Sequence, residues 1–451
     1  MNLQNIRHIA FIGIGGIGMS ALARYFRARG AAVSGYDRVC TALTRQLEQE
    51  GMNIHYEEDI GKVMKEADLV VYTPAVPEEH AELDYYRKHD YPVMKRAEVL
   101  QWITAEMVTV AVAGTHGKTT TSALLAHLLK CSGKDCTAFL GGIARNYGSN
   151  FLFGTSELCV VEADEYDRSF LKLRPEVALV TSCDADHLDI YESSEEVVRS
   201  FGEFASRLKP SGLLVTRPGL AFLPYVNIFN IRYYGLQGEV DVWAENRINT
   251  ETGQQFDLVW PEGRLNGIQL PMTGAYNVEN AVGAAAVALH LGVTPDFIRQ
   301  GLETFAGVKR RFEWIRRTAR YWFIDDYAHH PAELEAFLNA VRQTCGKRRI
   351  TCVFQPHLYS RTRDFAEGFG QALSLADRVI LLPIYPAREE PIPGVESSML
   401  VPLISGPEVQ LSEKNDLFDL LRQQPPEVLT TVGAGDIEEL VDKLASFLDK
   451  L

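Results

Sequence analysis

Residues 110–130 read VAVAGTHGKTTTSALLAHLLK: an apolar run, a glycine-bracketed turn from Gly114 to Thr120, then apolar residues at helical spacing. Strand, tight turn and helix in that order aim free backbone N–H groups and the positive end of a helix at one point, which makes an anion site. Gly114 and Gly117 let the backbone approach closely, Lys118 can neutralise the outer phosphates of a nucleotide, and the Thr119 hydroxyl suits magnesium. The spacing departs from the general pattern G-x-x-x-x-G-K-[ST], which would place its first glycine at position 112, a valine here. A glycine turn with a solvated lysine is the alternative reading. The flanking strand, the helix and the consecutive Gly-Lys-Thr weigh against it.

Upstream, GIGGIGMS forms a second glycine loop. Gly13, Gly15 and Gly18 make G-x-G-x-x-G directly after the strand-like HIAFIGIG, and Asp37 ends the next strand, AAVSGYD, at the spacing of dinucleotide folds. Alone, this pattern fits a dehydrogenase, another diphosphate loop or a structural turn. No hydride-transfer machinery follows it, whereas the second loop suits a nucleoside triphosphate. The first loop is therefore expected to hold a diphosphate carried by a different substrate.

Around the two loops, segments of strand and helix character alternate, which predicts α/β architecture with largely parallel sheets. The chain has 451 residues, too many for one ordinary core. Three blocks are expected: 1–106, 107–308 and 309–451. The first runs from HIAFIGIG through DLVVYTPAV to VLQWITAE. The second holds MVTVAVAG, ELCVVEAD, EVALVTSCD, an irregular aromatic- and glycine-rich stretch over 218–272, and the helix NVENAVGAAAVALHLG. The third has strands YWFIDDY, RRITCVFQ and ADRVILLP.

Composition fits a globular cytoplasmic enzyme or binding protein: 46% hydrophobic, 23% charged, with no run near the roughly 20 apolar residues of a membrane helix. MNLQNIRHIAFIGIGG enters a strand and loop at once, so no signal peptide is expected. Seven cysteines without a C-x-x-C pair fit reduced thiols, with Cys159 and Cys183 expected in the core. A net charge of −14 argues against broad nucleic-acid binding. It leaves room for anionic ligands held by local cations and amides.

With both loops in view the sequence resembles the Mur ligases, ATP-dependent amide-forming enzymes of bacterial cell-wall precursor synthesis. The matching stretches fall in order along the chain: GIGGIGMS, AGTHGKTTT from Ala113, EADEYD from Glu162, Asp186-His187, YNVEN from Tyr276, RRF from Arg310, DDYAHHP from Asp325 and FQPHLYSRT from Phe354. GIGGIGMS and FQPHLYSRT are closer to members that add L-alanine to UDP-N-acetylmuramate than to recycling members that attach a ready-made tripeptide. One residue departs from the pattern. The alanine-adding members commonly read FQPHRYSRT, and Leu358 replaces the first arginine, so Arg361 or Arg363 would have to supply its contact.

The resemblance implies a Rossmann-like first domain for the UDP-sugar, a central P-loop ATPase-like domain and a Rossmann-like α/β third domain that closes on ATP and substrate. It implies ATP and Mg2+, the two small-molecule substrates, no nucleic acid, no membrane insertion, and a monomer or weak homodimer. Activation of a carboxylate as an acyl phosphate, then attack by an amine, needs positioning and charge neutralisation more than a protein nucleophile. ATP contacts are implied at Gly114, Thr115, His116, Gly117, Lys118, Thr119, Thr120, Asn277, Asn280, Arg311 and Asp325. Sugar-nucleotide contacts are implied at Gly13, Gly15, Gly16, Gly18, Asp37, Thr73, His330, His357 and Arg361. Thr119, Glu162 and His187 are the implied metal ligands, and Lys118, Glu162, His187, His329 and Arg361 the implied catalytic set, with Asp326 alongside in the third block.

Blander readings stand beside each of these. VEADEYD could be a solvated acidic turn, His187 a structural histidine, Asn277 and Asn280 caps, Arg311 a surface cation, and the His-His-Pro element helix punctuation. No lysine lies between His187 and Lys209, so no carbamylated lysine is expected there. A recycling ligase, a non-catalytic nucleotide switch and an NAD-dependent dehydrogenase are the competing functions.

Overall fold

The computed structural model describes residues 5–184, 191, 193–387 and 389–451. Three sheets organise them, of five, ten and six strands. The first has strands β1 (His8–Ile12), β2 (Ala32–Tyr36), β3 (Asn53–His55), β4 (Leu69–Tyr72) and β5 (Val93–Lys95) in the order β3-β2-β1-β4-β5, every pairing parallel. Helices α1 (Ile17–Ala28), α2 (Ala42–Gln49), α3 (Ala81–Lys88) and α4 (Arg96–Ala105) connect them. The strand order reverses beside β1, and the loop after β1 lies at the carboxyl edge, where open α/β sheets bind ligands.

The second sheet comprises β6 (Val108–Ala113), β7 (Thr137–Ala144), β8 (Ser149–Leu152), β9 (Leu158–Glu162), β10 (Val177–Val180), β11 (Leu213–Thr216), β12 (Ile231–Gly235), β13 (Val242–Asn249), β14 (Gln254–Trp260) and β15 (Gly263–Leu270). Its order is β15-β14-β13-β12-β11-β10-β6-β9-β7-β8. Strands β12 through β7 pair in parallel and β8 closes the edge antiparallel. β6 reads VTVAVA and is buried from Thr109 onward, the continuous apolar run of a strand covered on both faces. Helix α5 (Lys118–Cys131) is buried at every position from Thr119 to Leu129, as a helix sunk in a core must be. Helices α6 (Ser194–Ala205), α7 (Ala275–His290) and α8 (Pro295–Thr304) follow.

The stretch 218–272, expected to be irregular, carries the four strands β12 to β15. Residues 250–253 and 261–262 turn the chain between β13, β14 and β15. β13 alternates buried and partly solvated residues over Val242–Glu245 and is exposed from Asn246 on, and β15 sets buried Leu265, Ile268 and Leu270 among solvated residues such as Arg264. Solvation of one face dilutes the apolar signal that marks a strand, and Gly253 and Pro261 act as hairpin punctuation rather than as signs of disorder.

The third sheet has β16 (Glu313–Arg317), β17 (Trp322–Asp326), β18 (Ile350–Phe354), β19 (Arg378–Leu381), β20 (Glu408–Leu411) and β21 (Val428–Val432) in the order β16-β17-β21-β18-β19-β20. Only β16 runs antiparallel. Helices α9 (Pro331–Cys345), α10 (Tyr359–Asp364), α11 (Ala366–Leu373), α12 (Leu417–Gln423) and α13 (Glu438–Leu448) complete it.

By packing, the chain forms two compact units. One runs through Asn246 and adds 256–268 and 279–306; the other holds 247–255, 269–278 and 307–451. Within the first unit, one hydrophobic core joins Phe11 of the first sheet and Leu22 and Tyr25 of α1 to Phe139, Phe151 and Val161 of the second sheet. Tyr25 of α1 lies 5.6 Å from Phe139 and 6.3 Å from Phe151, ring to ring. Beside it, fully buried Asn150 accepts from the buried Arg24 guanidinium and donates to the Ile17 carbonyl (2.5 Å) and the Ser20 hydroxyl (3.0 Å). Cys159 and Cys183 are buried as expected, and all seven cysteines are free thiols. Among the described residues no helix is long and apolar enough to cross a membrane.

Candidate active site

The first glycine loop leaves β1 and enters α1. Gly13 takes a left-handed φ of 85°, and the Gly13 and Ile14 amides donate to the Tyr36 carbonyl at 2.8 and 3.0 Å. Thr73, at the end of β4, packs against Gly13, where a Cβ would come within 2.8 Å of its methyl. Asp37 braces the loop: one carboxylate oxygen accepts from Gly15 N (2.7 Å) and the other from Val39 N (3.1 Å). A Cβ at Gly15 would sit 2.7 Å from that carboxylate. Gly16 caps α1 without a side-chain hydrogen bond, leaving the first-turn amides open to an anion. Gly18 lies against the Arg96 guanidinium, 2.6 Å from where its Cβ would be.

The second loop joins β6 to α5. Gly114 has φ 138°, and a Cβ there would fall 2.0 Å from the Thr181 hydroxyl oxygen. Gly117, the residue before α5, has φ 82° and faces Asn280, whose Oδ1 would be 2.5 Å from a Cβ. Residues after β10 buttress the loop. Ser182 Oγ lies 2.9 Å from Thr115 Oγ1 and accepts from His116 N at 2.9 Å, while Thr181 Oγ1 donates to the His116 carbonyl. The His116 ring lies 3.7 Å from the Asp184 carboxylate. Thr120 is buried in the first turn of α5.

Glu162, at the end of β9, converges on the same helix start. It accepts from Thr119 Oγ1 (3.0 Å), Ser122 Oγ (3.4 Å) and Gly141 N (2.8 Å). A side chain at Gly141 would overlap its carboxylate. Burial raises the Glu162 pKa, against the lowering effect of Lys118 and the Gly141 amide. Lys118 Nζ donates to the Gly114 carbonyl (2.6 Å) and to Glu165 (2.8 Å). Burial lowers the Lys118 pKa, but Glu165, Asp164 and Glu162 more than offset it and hold the ammonium above the ordinary lysine range. Among the described residues no three His, Cys, Asp or Glu side chains gather as a metal cluster. His187 lies outside the described residues.

On α7, Asn277 donates to the Thr273 carbonyl at 2.7 Å. In the second unit, Asp325 accepts from Arg310 (3.0 Å) and the Thr431 hydroxyl (2.6 Å). Asp326 accepts from Phe312 N (2.6 Å) and Ala328 N (2.8 Å), and burial pushes its carboxyl up to about 6. Arg311 stacks over Tyr327 and faces Glu333 at 3.8 Å. His329 Nδ1 lies 3.1 Å from the Tyr327 carbonyl, and its ring sits 5.8 Å from that of His357. His330 is the N-cap of α9, its Nδ1 accepting from Ala332 N at 3.3 Å, with Pro331 in the first turn. His357 stacks on Tyr385. Leu358 is buried with φ 69°, ψ 136°, a conformation that costs a non-glycine residue on the order of 1–3 kcal/mol. Arg361 is buried, whereas Arg363 is exposed and pairs with Asp364 at 2.7 Å.

The sequence reading missed Thr181, Ser182, Gly141 and Glu165. Thr181 and Ser182 follow an apolar strand as the polar pair of EVALVTSCD, a signal for the carboxyl edge of a parallel sheet. Gly141 carries no local sequence signal, because its role is to leave room for Glu162.

Three segments match protein families in chain order. Residues 8–107 match the Mur ligase family, catalytic domain; 112–288 the Mur ligase middle domain; and 310–435 the Mur ligase, glutamate ligase domain. The UDP-N-acetylmuramate–L-alanine ligase of Parabacteroides distasonis is 47% identical, over 100% of this chain and 99% of that protein. The protein of the same name from Christiangramia forsetii is 45% identical over 99% of each. The crystal structure of the UDP-N-acetylmuramate-alanine ligase of Thermotoga maritima superposes with a TM-score of 0.85 at 28% identity, covering 99% of this chain and 100% of that one. A murein peptide ligase of Psychrobacter arcticus shares the fold, with a TM-score of 0.75 at 24% identity over 99% of both chains.

Proposed function

The chain belongs to the Mur ligase family, and we propose that it joins L-alanine to the lactyl carboxylate of UDP-N-acetylmuramate, driven by ATP, in peptidoglycan precursor synthesis. Full-length identity of 47% to a relative bearing that name supports the substrates. The observation that carries the chemistry is the convergence of Lys118, Thr119 and Glu162 on the start of α5 beside a glycine nest.

A lactyl carboxylate oxygen attacks the γ-phosphorus of ATP, the bond from that phosphorus to the bridging oxygen breaks, and ADP departs. The alanine amine then attacks the acyl carbon, loses a proton and expels phosphate. In our reading Lys118 and the loop amides bind the triphosphate and neutralise charge that spreads over its oxygens during transfer. The hydroxyl of Thr119 and carboxylate of Glu162, 3.0 Å apart, are hard oxygen donors that fit Mg2+, with His187 as further ligand. Bound there, the ion would neutralise phosphate oxygens. Gly141 N and Ser122 hold Glu162 in place for that role.

Residue by residue, we assign the ATP to 107–308 with Asn277, Asn280, Arg311 and Asp325. The sugar nucleotide goes to 1–106 through Gly13, Gly15, Gly16, Gly18, Asp37 and Thr73. His329, His330, His357 and Arg361 of 309–451 serve the muramyl carboxylate and the incoming amine. Asp37 acts on the substrate by fixing the loop, since one of its oxygens accepts from Gly15 N while the other accepts from Val39 N in its own turn. Each chain carries both loops, which supports a monomer or weak homodimer, and ATP with a uridine nucleotide as co-substrates supports a cytoplasmic reaction.

A phosphate-release assay tests this. ADP and phosphate should form only with UDP-N-acetylmuramate and L-alanine both present. Turnover with the tripeptide instead of alanine would replace this reading with the recycling ligase. ATP binding without amide product would replace it with a switch, and saturable NADH binding at low concentration with a dehydrogenase.

A further inference from the structure

Two glutamates leave β9 together, and they face different partners. Glu162 turns to Thr119, Ser122 and Gly141. Glu165, three residues on and 1% exposed, meets Lys118, with its two carboxylate oxygens 2.8 and 2.7 Å from Nζ. Glu165 is itself anchored: its main-chain carbonyl accepts from the Tyr191 hydroxyl at 2.7 Å, and Tyr191 is buried. The acidic residue between the two glutamates, Asp164, is 3.5 Å from the Arg96 guanidinium.

An ammonium has three donors. On Lys118 one is taken by the Gly114 carbonyl at 2.6 Å and one by Glu165. Among the described residues, that leaves one for a phosphate oxygen. A flexible four-carbon stem would otherwise sweep several positions in the cradle, and each misplacement weakens transfer steeply. Protein kinases solve the same problem with a glutamate that fixes the phosphate-binding lysine.

We propose that Glu165 is a positioning residue for phosphoryl transfer: it fixes the Lys118 ammonium against the Gly114 carbonyl so that its remaining N–H meets the outer phosphates of ATP. The inference rests on the reading of this loop as the ATP cradle. Glu165 acts through the lysine and needs no contact with substrate. Its contribution grows with the number of phosphates, because Lys118 serves the outer ones.

The test uses the full chain, with Glu165→Gln, which keeps the shape and one acceptor, and Glu165→Asp, which keeps the charge but shortens the reach. Wild type should bind a non-hydrolysable ATP analogue more tightly than AMP; equal binding would sink the cradle reading itself. In E165Q, kcat should fall roughly 10–100-fold. Its preference for the ATP analogue over AMP should shrink at least about tenfold, while AMP affinity and the KM for the sugar nucleotide stay within about twofold. E165D should recover part of the preference. A folded E165Q with wild-type kcat and preference overturns the proposal, as does a loss equal for AMP and the analogue, which would mark a purely structural pair. If E165Q does not fold, E165D decides alone: an unchanged KM for ATP overturns the proposal, and a raised one with the sugar-nucleotide KM unmoved upholds it.

Discussion

Lys118→Met removes the ammonium and keeps an unbranched chain of similar length, so it isolates what the charge does. Two effects follow. The cradle loses its cation, and Glu165, 1% exposed, loses its buried ion-pair partner. The protein's cheapest escape is to protonate that carboxyl. For an ordinary glutamate with pKa about 4.3 this costs about 1.36 × 2.7, or about 3.7 kcal/mol at pH 7. The figure falls within the roughly 3–5 kcal/mol seen when one partner of a buried pair is removed. In a unit of this size that lowers the Tm by on the order of 5–10 °C. The single variant is therefore expected to be both inactive and less stable, which by itself separates nothing. Lys118→Met with Glu165→Gln removes the buried negative charge as well. It should regain most of the lost Tm in a calorimetric scan at pH 7 while phosphate release stays at background. Undiminished turnover in the single variant would refute the assignment of Lys118. A double variant as unstable as the single would refute the buried pair as the source of the loss.

Gly114→Ala drives a methyl to 2.0 Å from Thr181 Oγ1 at a φ of 138°; titration with an ATP analogue should show at least about tenfold weaker binding, and stability should fall by about 2–4 kcal/mol. Asp326 carries a carboxyl pushed up to about 6 by burial, against the lowering effects of Arg311, Phe312 N and Ala328 N. An unfolded aspartate titrates near 3.9, so this group's contribution is full below about 4 and fades as the pH rises to 6, a loss of about 3 kcal/mol in all. Denaturant unfolding across pH 4–7 should show that fall in the second unit, and Asp326→Asn should flatten it. Asn150→Ala removes the acceptor of one Arg24 N–H and one donor to the Ile17 carbonyl, while Arg24 keeps its ion pair with Glu50 and Ile17 its bond from the Ser20 hydroxyl; a loss of about 1–3 kcal/mol is expected, read as a lower midpoint in urea, with a wild-type midpoint counting against the seam.

The two glycine loops, the alternating strands and helices and the burial of Cys159 and Cys183 were legible because each is written in local pattern. A parallel strand buried on both faces, such as VTVAVA, announces itself in six residues. β13 and β15 were not read, since their solvated faces carry Glu245, Arg247 and Arg264 in place of an apolar run. The supports of the second loop stayed hidden for another reason. Thr181 and Ser182 lie more than sixty residues from the amides they brace, and only the pairing of β10 with β6 brings them together. Glu165 was visible as one acid among several in VEADEYD. What distinguishes it is the direction its side chain takes, and that is decided by the turn after β9.

The aromatic seam between the first two sheets has one more consequence. Tyr25 against Phe139 and Phe151, with Arg24 locked to Asn150, welds the mounts of both glycine loops into a single frame. The interval between the two glycine loops is then fixed when the protein folds, and the frame acts as a gauge. On the proposed assignment of the two loops, a sugar nucleotide whose acid hangs too short or too long for that interval would occupy its own loop and still never present its carboxylate to the phosphoryl group.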